Sequence, residues 1–253
     1  MNCNGIEMLI VQAARQIKDH EVVFAGVGLP IIAMAVAKKF YAPHITIVCE
    51  SGIVDTMPDR LALSIADPSL VKNCTSLFSV NEIFSFFLQG GRIDVGVLSG
   101  AQVDRYGNLN STVIGPYDQP KLRMPGSGGA CEIASNAKET LIIIPQGLRR
   151  FPDKVDFVTS PGHVQDPDVK KNIRGNGPRA VVTDLGLYRF GKEDKEMYLA
   201  GIYAGVTVDK VKENTGWDLK VADRVEELAP PSEDEISFIR NLDPEGIFLG
   251  KKG

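Results

Sequence analysis

The feature that most constrains the fold is an alternation of helical and strand-like periodicities along the first fifty residues. The predicted elements, in chain order, are a helix over residues 6–17, a strand over 21–24, a helix over 31–40 and a strand over 45–49. A glycine-rich turn joins the first strand to the second helix. Such a succession builds a parallel sheet with its loops gathered at the carboxyl ends of the strands. The sequence therefore predicts an α/β fold.

The same alternation continues to the end of the chain. The further predicted elements are a helix near 81–89, strands over 93–99, 140–145, 180–183, 185–190 and 197–202, a helix starting after Gly129, and helices over 207–215 and 232–241. The strands over 185–190 and 197–202 flank a polar turn and are expected to form a hairpin. Ser232, followed by Glu235, has the pattern of a capping box. We therefore expect one open, mainly parallel sheet with flanking helices and a mixed edge.

Glycine and proline are scattered, and neither a linker nor an internal repeat divides the chain, so a single domain over residues 1–253 is predicted. The formal charge of −4 and the pI near 5.5 argue against a nucleic-acid binder.

No apolar run approaches the roughly 20 residues that a membrane span needs. The amino terminus lacks the pattern of a signal peptide, which favours a cytoplasmic location. The four cysteines and three histidines show no zinc-site spacing, so no metal is expected.

Glu50 is the first candidate for chemistry, because it follows a hydrophobic strand and precedes Ser51 and Gly52. Active-site groups of open α/β sheets gather at such positions. The alternative is that Glu50 is a helix-capping or surface acid. Cys49 precedes Glu50, and strand alternation points its side chain to the opposite face.

A loop with few side chains, Gly126-Ser127-Gly128-Gly129-Ala130, precedes the predicted helix after Gly129. Such a loop lets a ligand approach backbone N–H groups that can stabilise a negative charge. The alternative is an ordinary flexible turn. The loop lacks the lysine of a phosphate-binding P-loop and the spacing of a dinucleotide fingerprint. The earlier loop Gly26-Val27-Gly28-Leu29-Pro30 also lacks the third glycine of that fingerprint.

Several motifs of this chain occur in the order in which class I coenzyme A transferases carry them. They are Gly26–Pro30, Tyr41–Pro43, Cys49–Gly52, Gly100–Asn110, Gly126–Ala130, Arg149–Phe151, Lys154–Gly162 and Glu213–Leu219. The chain resembles the β-type subunit of that family, most closely of the glutaconate CoA-transferase type. The likeness covers nearly the whole chain and implies a fold similar to the NagB and RpiA proteins.

The resemblance implies that Glu50 is the catalytic nucleophile and that coenzyme A is a substrate, with no tightly bound cofactor. It implies transfer of CoA between an acyl-CoA and a short acid, with a dicarboxylic acid favoured, through a glutamyl anhydride and a glutamyl–CoA thioester. A homologous α-type subunit is expected to complete the site in an (αβ)n hetero-oligomer. The alternatives are an acyl-CoA hydrolase or decarboxylase on the same scaffold, or a non-catalytic partner subunit. Retention of Glu50 argues against both.

The resemblance also implies which other residues line the site. The residues expected to line the oxyanion and CoA region are Gly26, Gly28, Gly126, Gly128, Gly129 and Ala130. The residues that are candidates for substrate contact are Ser51, Gln102, Asp104 and Asn108. For the last three, the alternative is that their hydrogen bonds fix the loop. The candidates for a cationic clamp on a dicarboxylate are Arg105, Arg123, Arg149 and Arg150, with structural or surface roles as the alternative.

Overall fold

The computed structural model describes residues 3–57, 59–60, 62–65 and 67–250. Its strands are β1 Val22–Ala25, β2 Thr46–Val48, β3 Ile53–Val54, β4 Ser76–Leu77, β5 Val95–Leu98, β6 Gln102–Val103, β7 Leu109–Asn110, β8 Val113–Ile114, β9 Leu122–Arg123, β10 Glu139–Ile143, β11 Pro178–Val182, β12 Gly186–Phe190, β13 Met197–Tyr203 and β14 Lys220–Leu228. Its α-helices are α1 Gly5–Ala14, α2 Leu29–Phe40, α3 Val80–Glu82, α4 Ala130–Asn136, α5 Pro167–Lys170, α6 Val208–Glu213 and α7 Glu233–Leu242. A π-helical turn, Ile83–Leu88, continues α3, and Pro68–Leu70 forms a 3-10 turn.

Ten strands form one open sheet in the order β14-β13-β12-β11-β10-β5-β1-β2-β3-β4. Its centre, from β2 to β11, is parallel throughout. Antiparallel pairs occur towards both edges, and they include the predicted hairpin of β12 and β13. The predicted mainly parallel sheet with a mixed edge is therefore confirmed. The single domain over residues 1–253 stays a prediction.

Strand alternation divides the core between the two faces of the sheet. In β1, Val23 and Ala25 pack in the cluster that contains α1 and α2, whereas Phe24 packs in the cluster on the other face, with the π-helical turn and α4. In the same way, Cys49 lies in the first cluster and Val48 in the second. The two faces are buried under separate helical layers, as expected for parallel strands that are almost continuously apolar.

Local signals explain where several helices begin. Asn4 and Glu7 form a capping box at α1, and Ser232 and Glu235 form the predicted one at α7. Pro30 lies at the second position of α2, where its missing N–H is not needed. No helix in the described ranges is long and apolar enough to cross a bilayer. The cytoplasmic location stays a prediction.

The register of the parallel strands brings several loops to the same edge of the sheet. Phe24 pairs with Val48 across β1 and β2, and Leu98 pairs with Ile142 across β5 and β10. The segments after β1, β2, β5 and β10 therefore leave the sheet side by side. Glu50 and the first glycine-rich loop belong to two of these segments.

Candidate active site

Glu50 lies at the tip of a tight turn between β2 and β3. The turn is closed by hydrogen bonds from the Gly52 N–H to the Cys49 carbonyl, 3.0 Å, and from the Cys49 N–H to the Ile53 carbonyl, 2.8 Å. Glu50 is half-buried, and the sheet below the turn is fully packed. A carboxylate at this tip is held by a rigid support and remains accessible to a ligand.

Gly52 permits the turn because its φ of +100° is a conformation that residues with a side chain rarely adopt. The main chain of Phe78 fills the space where a Cβ on Gly52 would lie, and the Phe78 N–H donates to the Gly52 carbonyl at 2.8 Å. The segment around Phe78 therefore locks the turn that carries Glu50.

Cys49 points to the other face, as the alternation of the strand predicts. Its thiol is buried in the cluster with α1 and α2, and burial raises its pKa to about 12. A thiol with that pKa is protonated at neutral pH and is a weak nucleophile. Glu50, not Cys49, is therefore the group of this turn that offers chemistry.

The glycine loop after β9 approaches the Glu50 carboxylate. A Cβ placed on Gly129 would lie 3.2 Å from Glu50 Oε1, and Gly129 is buried. The loop is tied at both ends. The Gly126 N–H donates to the Ser111 carbonyl at 3.0 Å, and the Cys131 N–H donates to Ser127 Oγ at 3.0 Å. The predicted nucleophile and the predicted glycine loop, 79 positions apart along the chain, meet in space.

The N–H groups of Gly128 and Gly129 donate to no acceptor among the described residues. The Ser127 N–H likewise has no acceptor there, whereas the N–H groups of Gly126 and Ala130 are engaged. Gly128 has a φ of +49°, so the backbone bends sharply at this point. Free amides in a loop that reaches a carboxylate are the components that an oxyanion site requires.

Sequence reasoning did not find Phe84. A Cβ on Gly129 would lie 2.5 Å from its Cζ atom, so the ring and the Glu50 carboxylate share the space beside Gly129. The ring also packs edge-on against Phe24, with 5.7 Å between centroids. A helical periodicity predicts an apolar face, but it does not indicate which residue of a widened π-helical turn reaches a particular loop.

The first glycine-rich loop lies beside the Glu50 turn. The side chain that limits its space is Phe248, which packs on the α1 and α2 face of the sheet. Gly28 has a φ of +96°, and a Cβ there would lie 3.4 Å from the Phe248 ring. Nothing lies within 4 Å of a Cβ on Gly26. A contact of Gly26 or Gly28 with CoA stays a prediction.

The polar groups after β5 bond to one another. The side-chain carbonyl oxygen of Gln102 accepts from Asn110 Nδ2 at 2.7 Å, and Gln102 Nε2 donates to Asp156 at 3.2 Å. The Asp104 carboxylate accepts from Asn108 Nδ2 and from two backbone N–H groups. Burial raises the pKa of Asp104 despite these bonds. The arrangement favours the loop-fixing alternative for Gln102, Asp104 and Asn108, and substrate contact stays a prediction.

Ser51 has a buried hydroxyl with no hydrogen-bond partner among the described residues. It follows Glu50 directly, and its role as a substrate contact stays a prediction.

Of the four arginine candidates, Arg105 forms ion pairs with Asp153 and Glu196, and Arg123 lies over the Tyr117 ring at 5.0 Å. The remaining two, Arg149 and Arg150, are exposed.

A group of potential metal ligands lies just before β1 and β2, at the ends of these strands opposite to the Glu50 turn. Ligand atoms of Asp19, His20 and His44 all lie within 4.8 Å of one another, and all three residues are exposed. The two rings stack in parallel, with 4.9 Å between centroids, and His44 Nδ1 lies 2.8 Å from Asp19. Asp19 and His44 thus form a hydrogen-bonded pair on the surface, with the His20 ring stacked on His44.

The family model described as "Coenzyme A transferase" matches residues 6–214. The B-type subunit of the 3-oxoadipate CoA-transferase of Pseudomonas knackmussii is 45% identical over 239 residues, which is 94% of this chain and 92% of the relative. The B-type subunit of the glutaconate CoA-transferase of Acidaminococcus fermentans is 40% identical over 257 residues, which is 98% of this chain and 96% of the relative.

Solved structures show the same likeness in three dimensions. The crystal structure of glutaconate coenzyme A-transferase from Acidaminococcus fermentans matches with a TM-score of 0.91 and 38% identity, covering 99% of both chains. The decarboxylase AibA/AibB matches with a TM-score of 0.82 and 25% identity, covering 98% of both chains.

Proposed function

The chain belongs to the coenzyme A transferase family, as its motifs indicated, and is a B-type subunit of a class I CoA-transferase of the glutaconate and 3-oxoadipate type. We propose that Glu50 is the nucleophile of this enzyme and that the Gly128 and Gly129 amides stabilise the oxyanion. The observation that carries the proposal is the approach of Glu50 Oε1 to Gly129, beside two N–H groups without acceptors in the described chain.

The proposed reaction begins when a Glu50 oxygen attacks the carbonyl carbon of an acyl-CoA. The tetrahedral oxyanion forms where the two amides can donate, and collapse expels CoA as the thiolate and leaves a mixed anhydride. The thiolate then attacks the glutamyl carbonyl and releases the first acid. Glu50 now carries CoA as a thioester.

The second half of the reaction reverses these steps with a different carboxylate. The acceptor acid attacks the glutamyl thioester and regenerates an anhydride and the CoA thiolate. The thiolate attacks the acyl carbonyl of that anhydride, which restores the Glu50 carboxylate and releases the new acyl-CoA. Because water is not the acyl acceptor, the free energy of the thioester passes to the product, and ping-pong kinetics are expected.

We propose a short dicarboxylic acid as the acceptor or donor, because the acids in the names of the two relatives both carry two carboxylates. A second carboxylate requires a cationic partner. Arg105 and Arg123 are engaged within the chain. The remaining sources of that clamp are the exposed Arg149 and Arg150 and the partner subunit.

We also propose that the chain acts with a homologous A-type subunit in an (αβ)n assembly, since its relatives are named as B-type subunits. The carboxylate is only half-buried in this chain, so a second protein surface would complete its shielding. The chain purified alone should therefore lack transferase activity, and addition of the A-type subunit should restore it.

The decisive experiment traps the intermediate on the assembled complex. Incubation with acyl-CoA, followed by borohydride or hydroxylamine, should modify Glu50, as read by peptide mass. Glu50→Gln should abolish both the modification and CoA transfer without disrupting assembly. Glu132→Gln, which changes an exposed acid on α4, should leave both intact. Full transfer activity in the Glu50→Gln complex would exclude Glu50 as the nucleophile.

Glu50→Asp tests positioning in the same assay. Shortening the side chain moves the carboxylate by about 1 Å, which is expected to reduce transfer about 100-fold. Slow thioester hydrolysis is the expected residual reaction. Product analysis also separates the alternative raised by the decarboxylase likeness, because a decarboxylase releases carbon dioxide and leaves the thioester intact.

A further inference from the structure

The π-helical turn Ile83–Leu88 has an unusual hydrogen-bond pattern beside the site. The Gln89 N–H donates to the Phe84 carbonyl and the Arg92 N–H to the Phe87 carbonyl, each at 2.8 Å and each five residues back. Ile83 and Leu88, five positions apart, are both fully buried. In an α-helix, residues three or four apart share a face. The wider turn therefore changes which side chains face the core, and such turns occur often at functional sites.

Phe84 follows the first buried residue of this turn and reaches the Glu50 site. Both its Cζ atom, at 2.5 Å, and Glu50 Oε1, at 3.2 Å, lie next to the position of a Cβ on Gly129. On its other side the ring meets Phe24, which is buried in β1. The ring is thus held between the sheet and the glycine loop, and its tip lies next to Gly129, as the carboxylate does.

We propose that Phe84 is a positioning residue that keeps water away from the glutamyl carbonyl while Glu50 carries CoA, and so sets the ratio of transfer to hydrolysis. This inference rests on the function proposed above. Until the second acid binds, water can attack the same glutamyl carbonyl carbon. Attack by water would break the C–S bond, release CoA as a thiol, and restore the Glu50 carboxylate with loss of one proton.

An apolar ring at this position opposes that reaction for two reasons. It offers no hydrogen bond to a water molecule, and it occupies volume at the side of Glu50 that faces Gly129. Water exclusion of this kind prevents the hydrolysis of reactive intermediates.

The test compares Phe84→Ala, Phe84→Val and Phe84→Leu in the complex with the A-type subunit. The control is Phe238→Ala, which removes a half-buried phenylalanine in a similar edge contact, 5.6 Å from Phe40, on α7. The measurements are the yield of the Glu50–CoA thioester, its lifetime after removal of free acyl-CoA, and the ratio of acyl transfer to CoA release. A general loss of packing should affect the Phe84 and Phe238 variants alike. Faster hydrolysis of the thioester by water should shorten its lifetime only in the Phe84 variants.

We expect Phe84→Ala to form the thioester and lose it to water roughly tenfold faster than the unmodified chain. Phe84→Leu should restore most of the lifetime, and Phe238→Ala should leave it unchanged. If Phe84→Ala does not assemble, Phe84→Val provides the same comparison with a smaller loss of volume. An unchanged thioester lifetime in the assembled Ala or Val variant would overturn the role of Phe84. Absence of any thioester in the unmodified complex would instead overturn the proposed function.

Discussion

The carbonyl oxygen of Phe78 occupies the space that a Cβ atom on Gly52 would need. The two residues also share a hydrogen bond, from the Phe78 N–H to the Gly52 carbonyl. Gly52 therefore links the turn that carries Glu50 to the segment that enters α3 and the π-helical turn. The same backbone contact therefore supports both Glu50, in the turn that contains Gly52, and Phe84, in the segment that follows Phe78.

Gly52→Ala should destabilise the protein and displace Glu50. The added methyl group meets main-chain atoms that cannot rotate away, and a φ of +100° is unfavourable for alanine. Together these effects should cost about 2–4 kcal/mol of unfolding free energy. Urea unfolding followed by the fluorescence of Trp217, the single tryptophan, measures it. Gly147→Ala is the matched control, since nothing lies within 4 Å of a Cβ there. Equal stability of the two variants would contradict this account of the turn.

Gly129→Ala should impair catalysis more than folding. The methyl group would enter the space shared by the Phe84 ring and Glu50 Oε1, and a flexible side chain can move where a backbone cannot. Displacing the carboxylate or an oxyanion donor by about 1 Å should reduce kcat/KM about 100-fold. Steady-state transfer assays on the assembled complex measure this, with Gly147→Ala again as the control. A Gly129→Ala complex with full activity would remove the glycine loop from the proposed site.

The sequence was informative where a residue type is tied to a local conformation. Glu50 follows a hydrophobic strand, and the Gly126–Ala130 loop precedes a helix, so both positions were predicted without a structure. Their meeting was implied only through the family resemblance, because no spacing along the chain relates residue 50 to residue 129. The edge strand β14 was not predicted, since its charged residues, such as Asp223, Arg224 and Glu226, hide its period.

Two side-chain contacts from distant segments were also missed by sequence reasoning. Phe84 reaches Gly129 because a π-helical turn replaces the α-helix that the periodicity predicted. Phe248 covers Gly28 because the Asp243 carboxylate accepts N–H groups from three consecutive residues, 247 to 249, and so folds the end of the chain back. Neither contact has a sequence pattern of its own.

Arg179→Met should destabilise the protein without changing the chemistry at Glu50. Arg179 donates to both carboxylate oxygens of Glu21, at 2.8 and 3.2 Å, and the two side chains are only 10% and 12% exposed. The variant leaves the nearly buried Glu21 without its counter-charge and also removes the ion pair of Arg179 with Glu139, which should cost about 3–5 kcal/mol of unfolding free energy. Lys171→Met removes an exposed ion pair with Asp168 and serves as the control, with little change expected. Comparable urea midpoints for the two variants would contradict a stabilising role of the Arg179–Glu21 ion pair.

His163 should make the stability of the protein fall at mildly acidic pH. Burial lowers the pKa of His163, and Lys195 and Lys170 lower it further, against opposing contributions from the Pro178 carbonyl and Glu139. The folded chain therefore holds this ring neutral at a pH where the unfolded chain already protonates it, near its ordinary pKa of about 6.5. The stability contributed by the neutral ring is full above that pH. It is lost as the pH falls from there towards the lower pKa of the folded state.

His163→Gln isolates this effect, because glutamine cannot titrate and can still donate to the Pro178 carbonyl that His163 Nε2 contacts at 3.0 Å. Urea unfolding at pH 7.5, 6.5 and 5.5 should show a steeper loss of stability for the unmodified chain than for the variant. Because the ring also packs edge-on against Phe190, at 4.7 Å between centroids, the variant should start from a lower stability at pH 7.5. The two curves should then converge as the pH falls. Parallel curves would mean that His163 takes up a proton equally well in the folded and unfolded chains.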